Sequence, residues 1–206
     1  MLSIVQTGFS LYLKLFFLLT PFFVLGTFIA LTNDVQPQLR RKLAGRITLG
    51  ASAVTLTIFL VGTYIMKIFG ITVDAFRAGS GALLLLTAVS LVLGKDPDKK
   101  TDKKADELLD MAIVPLATPI TAGPATLGAL MVMGTTTPDM QGKLITSVAI
   151  IMACCSIGFM LMVSDKINKA LGHANITILS KITGLILSAI ALQMIVVGAK
   201  GLWLME

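Results

Sequence analysis

Charged side chains are absent from most of this chain's apolar length, so the groups left to do chemistry there are backbone amides, backbone carbonyls and threonine hydroxyls. The stretch Ala117-Thr118-Pro119-Ile120-Thr121-Ala122-Gly123-Pro124-Ala125-Thr126-Leu127-Gly128 lies within Met111–Pro138, a run without a single charge. Pro119 and Pro124 each remove a backbone donor and crowd the carbonyl four residues back, which frees polar groups at hydrocarbon depth. Thr20-Pro21 predicts a similar interruption in the first apolar run. Such groups are tolerated where protein covers them or where they line a cavity, so the segment is either a kinked packing helix or a binding site. A broken helix offers N–H groups at the start of one half and carbonyls at the end of the other, which together suit a small zwitterion. The candidate contacts are Thr20, Pro21, Thr118, Pro119, Thr121, Ala122, Gly123 and Pro124. Thr126 adds a hydroxyl, and Gly123 and Gly128 permit close approach. For each threonine the alternative is a hydrogen bond to its own helix's carbonyl.

Other chemistries find little support. All eleven acidic residues fall in loops or at helix ends: Asp34, Asp74, Asp96, Asp98, Asp102, Asp106, Glu107, Asp110, Asp139, Asp165 and Glu206. Intramembrane carboxylates mark proton relays and divalent-cation sites, and their absence argues against both. It also leaves no catalytic pair or metal cluster, so neither an enzyme nor a resident metal or cofactor is expected. Cys154 and Cys155 are adjacent and point to different helix faces, which suits buried small residues better than a redox pair. His173 reads as a solvated loop residue, because a lone His without ligating partners is a weak metal signal. Lys14, inside Leu11-Tyr12-Leu13-Lys14-Leu15-Phe16-Phe17, reads as a lysine snorkelling to the nearby interface, with gating or substrate contact as the alternative. Gln193 and Ser90 are expected to bond between helices.

The elements that must position these groups are membrane spans. Of 206 residues, 55% are hydrophobic and 14% charged, with mean hydropathy +0.89. Six uncharged runs approach the roughly 20 residues that cross a hydrocarbon core of about 30 Å. They are Leu15–Asn33, Ile47–Met66, Ala78–Gly94, Met111–Pro138, Leu144–Ser164 and Ile182–Ala199. The first lacks the basic n-region and small-residue cleavage site of a removable signal peptide. The net charge of +6 is dispersed over loops, without the basic stripe that nucleic acid requires. Twelve positive residues fall in the first, third and fifth loops: Arg40, Arg41, Lys42, Arg46, Lys95, Lys99, Lys100, Lys103, Lys104, Lys166, Lys169 and Lys181. The other side receives Lys67, Arg77, Lys143 and Lys200. The positive-inside rule then makes the odd loops cytoplasmic and puts both termini outside.

The two halves resemble each other. Thr20-Pro21 parallels Thr118-Pro119, and Pro37-Gln38-Leu39-Arg40-Arg41-Lys42-Leu43 parallels Pro138-Asp139-Met140-Gln141-Gly142-Lys143-Leu144. Ser80-Gly81 with Ala88 parallels Thr183-Gly184 with Ala191. Residues 1–94 thus form one three-helix repeat and 111–206 another, joined by a charged cytoplasmic linker at 95–110. An odd number of helices inverts the second repeat, and interrupted helices at equivalent places in inverted repeats point to a secondary transporter.

Ile113-Val114-Pro115-Leu116-Ala117-Thr118-Pro119-Ile120-Thr121-Ala122-Gly123-Pro124 closely resembles the Pro-Leu-Ala-x-Pro-x-x-Ala-Gly-Pro signature of the MarC family, small six-helix inner-membrane proteins. The likeness extends to Tyr12–Phe17, to Phe69-Gly70-Ile71 through Gly81, and to Ile182–Leu187 leading to Gln193-Met194. It implies membership of a group that includes a transporter of small neutral amino acids such as glycine and alanine. An older association of the family with multiple antibiotic resistance is a weaker functional guide. The first span departs from the pattern Asn-Pro-x-Gly-x-x-Pro, reading Thr20-Pro21-Phe22-Phe23-Val24-Leu25-Gly26. The expectation is therefore an all-α inner-membrane transporter of six transmembrane helices, two inverted repeats with broken first and fourth helices. Its partners would be the lipid bilayer and a small neutral amino acid, and no nucleic acid. The competing expectations are an exporter of another small polar or drug-like solute, and a membrane scaffold without cargo. Oligomeric state stays open, because lipid-facing and partner-facing apolar surfaces have the same composition.

Overall fold

The computed structural model describes residues 2–32, 35–94, 123–137 and 139–204, all of them helical or in short connections. Seven helices are described: α1 (Leu2–Leu18), α2 (Pro21–Leu31), α3 (Pro37–Phe69), α4 (Val73–Leu93), α5 (Pro124–Thr136), α6 (Met140–Met162) and α7 (Ser164–Trp203). Four of them, α3, α4, α6 and α7, are long and apolar enough to cross a membrane. The bent pair α1 and α2, which meet at 40°, makes a fifth span if counted as one. The linker 95–110 and the first half of the expected fourth span, 111–122, lie outside the described residues.

Local chemistry sets the helix boundaries. Proline occupies the first turn of α2, α3 and α5, where its missing N–H would have had no partner. Asp139 caps α6 by accepting from Gly142 N at 2.6 Å, and Thr72 caps α4 by accepting from Ala75 N at 3.3 Å. At the far end of α3, Gly70 takes φ 64° so that Gly70 N reaches Lys67 O and Ile71 N reaches Met66 O, a Schellman closure. α7 breaks at Gly172, with φ 73° and ψ 158°, a conformation that only glycine adopts without strain.

Two expectations about loops are corrected. α3 begins at Pro37, ten positions before the expected Ile47, so Arg40, Arg41, Lys42 and Arg46 stand on a helix of 33 residues. At about 1.5 Å per residue that helix is about 50 Å long and carries its charged first turns beyond the hydrocarbon. Likewise Lys166, Lys169, His173 and Lys181 lie on α7 rather than in a loop. Long basic side chains are good helix formers, so charge by itself ends a span without ending a helix.

α4 packs along α7, α3 lies between α5 and α6, α1 rests on α6, and α2 rests on α7. Apolar attraction between helices is weak in lipid, so close approach through small residues has to supply the cohesion. The α4–α7 pair does this reciprocally. A Cβ on Gly81 would stand 2.9 Å from Ala191 O, and a Cβ on Gly184 would stand 2.9 Å from Ala88 O. Buried Phe28, Phe59, Leu84, Leu130, Ile150 and Leu187 fill the interior. Large apolar side chains such as Leu49, Leu86, Phe159 and Leu192 face outward, where lipid would solvate them. Cys154 is buried and Cys155 exposed, on different faces of α6.

Candidate substrate site at the break between α1 and α2

A proline at position 21 disfavours the α conformation at position 20, so α1 cannot run on into α2. The chain turns by placing Thr20 at φ 49° and ψ 55°, the one non-glycine residue with positive φ among those described. A β-branched residue in that region is an outlier with a cost of about 1–3 kcal/mol, and such strain gathers at functional sites. The Thr20 side chain is buried and caps nothing, so no capping bond offsets the strain. Around the turn Leu19 N reaches Leu15 O and Thr20 N reaches Phe17 O, both at 3.0 Å.

The break leaves carbonyls at the end of α1 without the amide partners a continuous helix would give them. One of them is taken from across the molecule: Thr126 Oγ1 donates to Leu18 O at 3.2 Å. Thr126 lies in the first turn of α5, which starts at Pro124 after Gly123 at φ −61° and ψ 166°. The C-terminal end of α1 and the N-terminal end of α5 therefore meet, bringing opposite dipole ends to one place. The space beneath them is closed by Leu15, Leu18, Leu19, Leu130 and Ile150, together with Thr55 and Thr126, and holds no water-sized void.

Next to this closed point is a cavity of about 220 Å³ that shares Leu18 with it. Its walls come from α1, α4, α5 and α7, and its polar groups are Lys14, Arg77, Thr136 and Gln193. Arg77 Nη1 donates to Asp74 Oδ1 at 3.1 Å, one helical turn away. The cavity lies towards the end of the molecule where α4 begins and α7 ends. At the other end the Arg40 guanidinium ties α3 to two other helices, donating to Asp165 Oδ1 at the start of α7 and to Thr32 O at the end of α2. The Arg40 side chain is 11% exposed and that of Asp165 52%.

Of the residues singled out from sequence, Thr20, Pro21, Gly123 and Pro124 stand at the two helix starts that frame the site. Thr118, Pro119, Thr121 and Ala122 lie outside the described residues. Gly128 is a packing residue, since a Cβ there would overlap Ser80 Oγ of α4. Gln193 lines the cavity, and among the described residues its side chain bonds to no neighbouring helix, where an interhelical bond was expected. Lys14, expected to snorkel or else to contact substrate, is exposed, stands one turn before the break and lines the cavity. Sequence reading did not bring Arg77 to the site. Its signal was a basic residue in the first turns of an apolar span, seven positions after Gly70.

Comparison with known proteins agrees with this membrane architecture. Residues 5–203 match the family described as MarC family integral membrane protein. A UPF0056 membrane protein of Methanocaldococcus jannaschii is 36% identical over 191 residues, covering 91% of this chain and 93% of its own. One from Pyrococcus abyssi is 31% identical over 98% of both chains, and YhcE of Escherichia coli is 29% identical over 95% of this chain and 93% of its own. No solved structure matches. The chain belongs to the MarC family of multi-pass integral membrane proteins.

Proposed function

We propose that this protein is a secondary transporter of small neutral amino acids, of the glycine and alanine type, working by alternating access with its substrate held where the broken first and fourth spans meet. The hydrogen bond from Thr126 Oγ1 to Leu18 O carries the reading, because it joins the negative end of one half-helix to the positive end of another. A zwitterion needs both partners a few ångströms apart. Transport rather than catalysis also suits the acids: the described ones, Asp74, Asp139 and Asp165, stand at helix starts.

The architecture we infer is two inverted three-helix repeats, 1–94 and 111–206, around a pseudo-two-fold axis. Three pairs of landmarks support it, since Pro21 and Pro124, Pro37 and Met140, and Gly81 and Gly184 are each 103 positions apart. That register pairs Thr20-Pro21 with Gly123-Pro124 rather than with Thr118-Pro119. Under that register α4 and α7 are counterparts and pack on each other, as a two-fold axis between the repeats requires. The membrane would be the inner, plasma membrane. Both termini would face outward by the positive-inside rule, putting the cavity on the outer side and the Arg40 contact on the cytoplasmic side. One end open and the other closed is what one state of an alternating-access cycle requires.

Flux of glycine and alanine into proteoliposomes tests the substrate, and absence of flux with any small neutral amino acid overturns it. Thr126→Val leaves the Leu18 carbonyl unpaired, at a cost of about 1–3 kcal/mol, and is expected to cut flux about tenfold or more while Thr126→Ser preserves it. A second reading, export of another small polar or drug-like solute, is favoured by the apolar wall of Met133, Ile190, Met194 and Val197. Competition among solutes in the same assay separates the two.

A further inference from the structure

We propose that the cavity between α1, α4, α5 and α7 is a carboxylate subsite, with Lys14 as the group that receives the anionic end of the substrate. The proposal rests on the transporter reading and adds to it the polarity with which a substrate lies.

Lys14 is the one charged residue between Leu2 and Leu31, and a charge in an apolar span is retained where it has work to do. The cavity gathers two cations, but they are not equivalent. Asp74 neutralises the Arg77 guanidinium at 3.1 Å, whereas no acid pairs with Lys14 among the described residues. The cavity therefore presents one net positive charge on a wall otherwise built from apolar side chains and two neutral polar ones, Thr136 and Gln193. A field of that sign attracts a carboxylate and repels a lone amine. Gln193 and Thr136 can each donate a further hydrogen bond to a carboxylate.

The position of Lys14 adds direction. It stands one turn ahead of the end of α1, and Leu18 at that end lines the same cavity. A substrate whose carboxylate meets Lys14 can lay its ammonium group towards the carbonyl end of α1, where the helix dipole is negative. Both ends of a zwitterion are then satisfied by α1 within one turn. A decarboxylated amine loses the Lys14 contact, and a carboxylate without an amine keeps it.

Thermal melting of the purified protein in detergent, with alanine, propionate or ethylamine added, tests this. Alanine and propionate are expected to raise the melting temperature and ethylamine is not. Lys14→Gln should abolish the propionate shift and weaken apparent alanine binding at least tenfold, while Lys14→Arg retains both. A Lys14→Gln protein that binds propionate like the parent overturns the proposal. Should Lys14→Gln fail to fold, Lys14→Met serves instead, keeping the apolar stem and removing the charge: it is expected to abolish the propionate shift, and a retained shift overturns the proposal equally. Alanine flux in proteoliposomes separates the two layers. Flux that is present but insensitive to Lys14→Gln overturns the subsite and leaves the transporter; propionate binding without flux of any small neutral amino acid overturns the transporter and leaves the subsite.

Discussion

At the scale of single residues, Thr20 holds the most information. It sits in left-handed backbone, buried and uncapped, in front of a proline that forbids the ordinary alternative. The resemblance drawn from sequence has Asn or Asp at this place, and those residues tolerate left-handed backbone far better than a β-branched one. The departure at Thr20 therefore has a physical meaning that the sequence alone did not disclose. Thr20→Asn is expected to raise the thermal stability of the purified protein by about 1 kcal/mol. An unchanged or lower melting temperature would show that the strain is absent or compensated. Sequence marked the Thr20-Pro21 break correctly because proline acts locally, but the bond from Thr126 to Leu18 joins residues 108 apart and has no local signature.

Among elements, the α4–α7 pair is the most informative. Gly81 and Gly184 each sit against a carbonyl of the opposite helix, so added methyls would push the backbones apart. Gly81→Ala and Gly184→Ala should each destabilise by about 1–3 kcal/mol, the range for overpacked cores. Because both occupy one interface, the double variant should lose less than the sum of the two, read by denaturant unfolding in detergent. Unequal single losses with full additivity would contradict the reciprocal packing. The small residues at these positions were visible as a repeat of Ser-Gly and Thr-Gly with a following Ala. Their mutual contact was not, since a repeat in sequence does not say whether its copies touch. Helix ends were legible where proline, a capping Asp or a glycine acts locally, as at Pro37, Asp139 and Gly70. They were misread where basic residues extend a helix past the bilayer, as at Arg40–Arg46 and Lys166–Lys181, because hydropathy reports the solvent and not the backbone.

For the whole molecule, the decisive feature is that its two ends differ. Arg40 ties the end of α2 and the start of α7 together at one end, and the opposite end holds the cavity with Lys14 and Arg77. Removing the guanidinium should loosen the junction of α2, α3 and α7. Arg40→Gln forfeits charge-assisted hydrogen bonds of about 1.5–3 kcal/mol, discounted because Asp165 is half exposed to solvent. The check is a cysteine placed at Ser164, which is fully buried, in a background lacking Cys154 and Cys155. Its maleimide labelling should accelerate about fivefold with Arg40→Gln, as a shift near 1 kcal/mol predicts. An unchanged rate would mean that packing alone keeps this end shut. The sequence by itself determined that this is a helical membrane protein of the MarC family, where its first span breaks, and that its acids stay out of the apolar runs, because hydropathy, proline and charge placement act through solvent and local backbone. Only the tertiary structure decided that α1 and α5 meet at the break, that Lys14 shares a cavity with Arg77 and Gln193, and that Arg40 ties α2, α3 and α7 together at the opposite end. Those are relations between helices distant in sequence, and packing rather than composition fixes them.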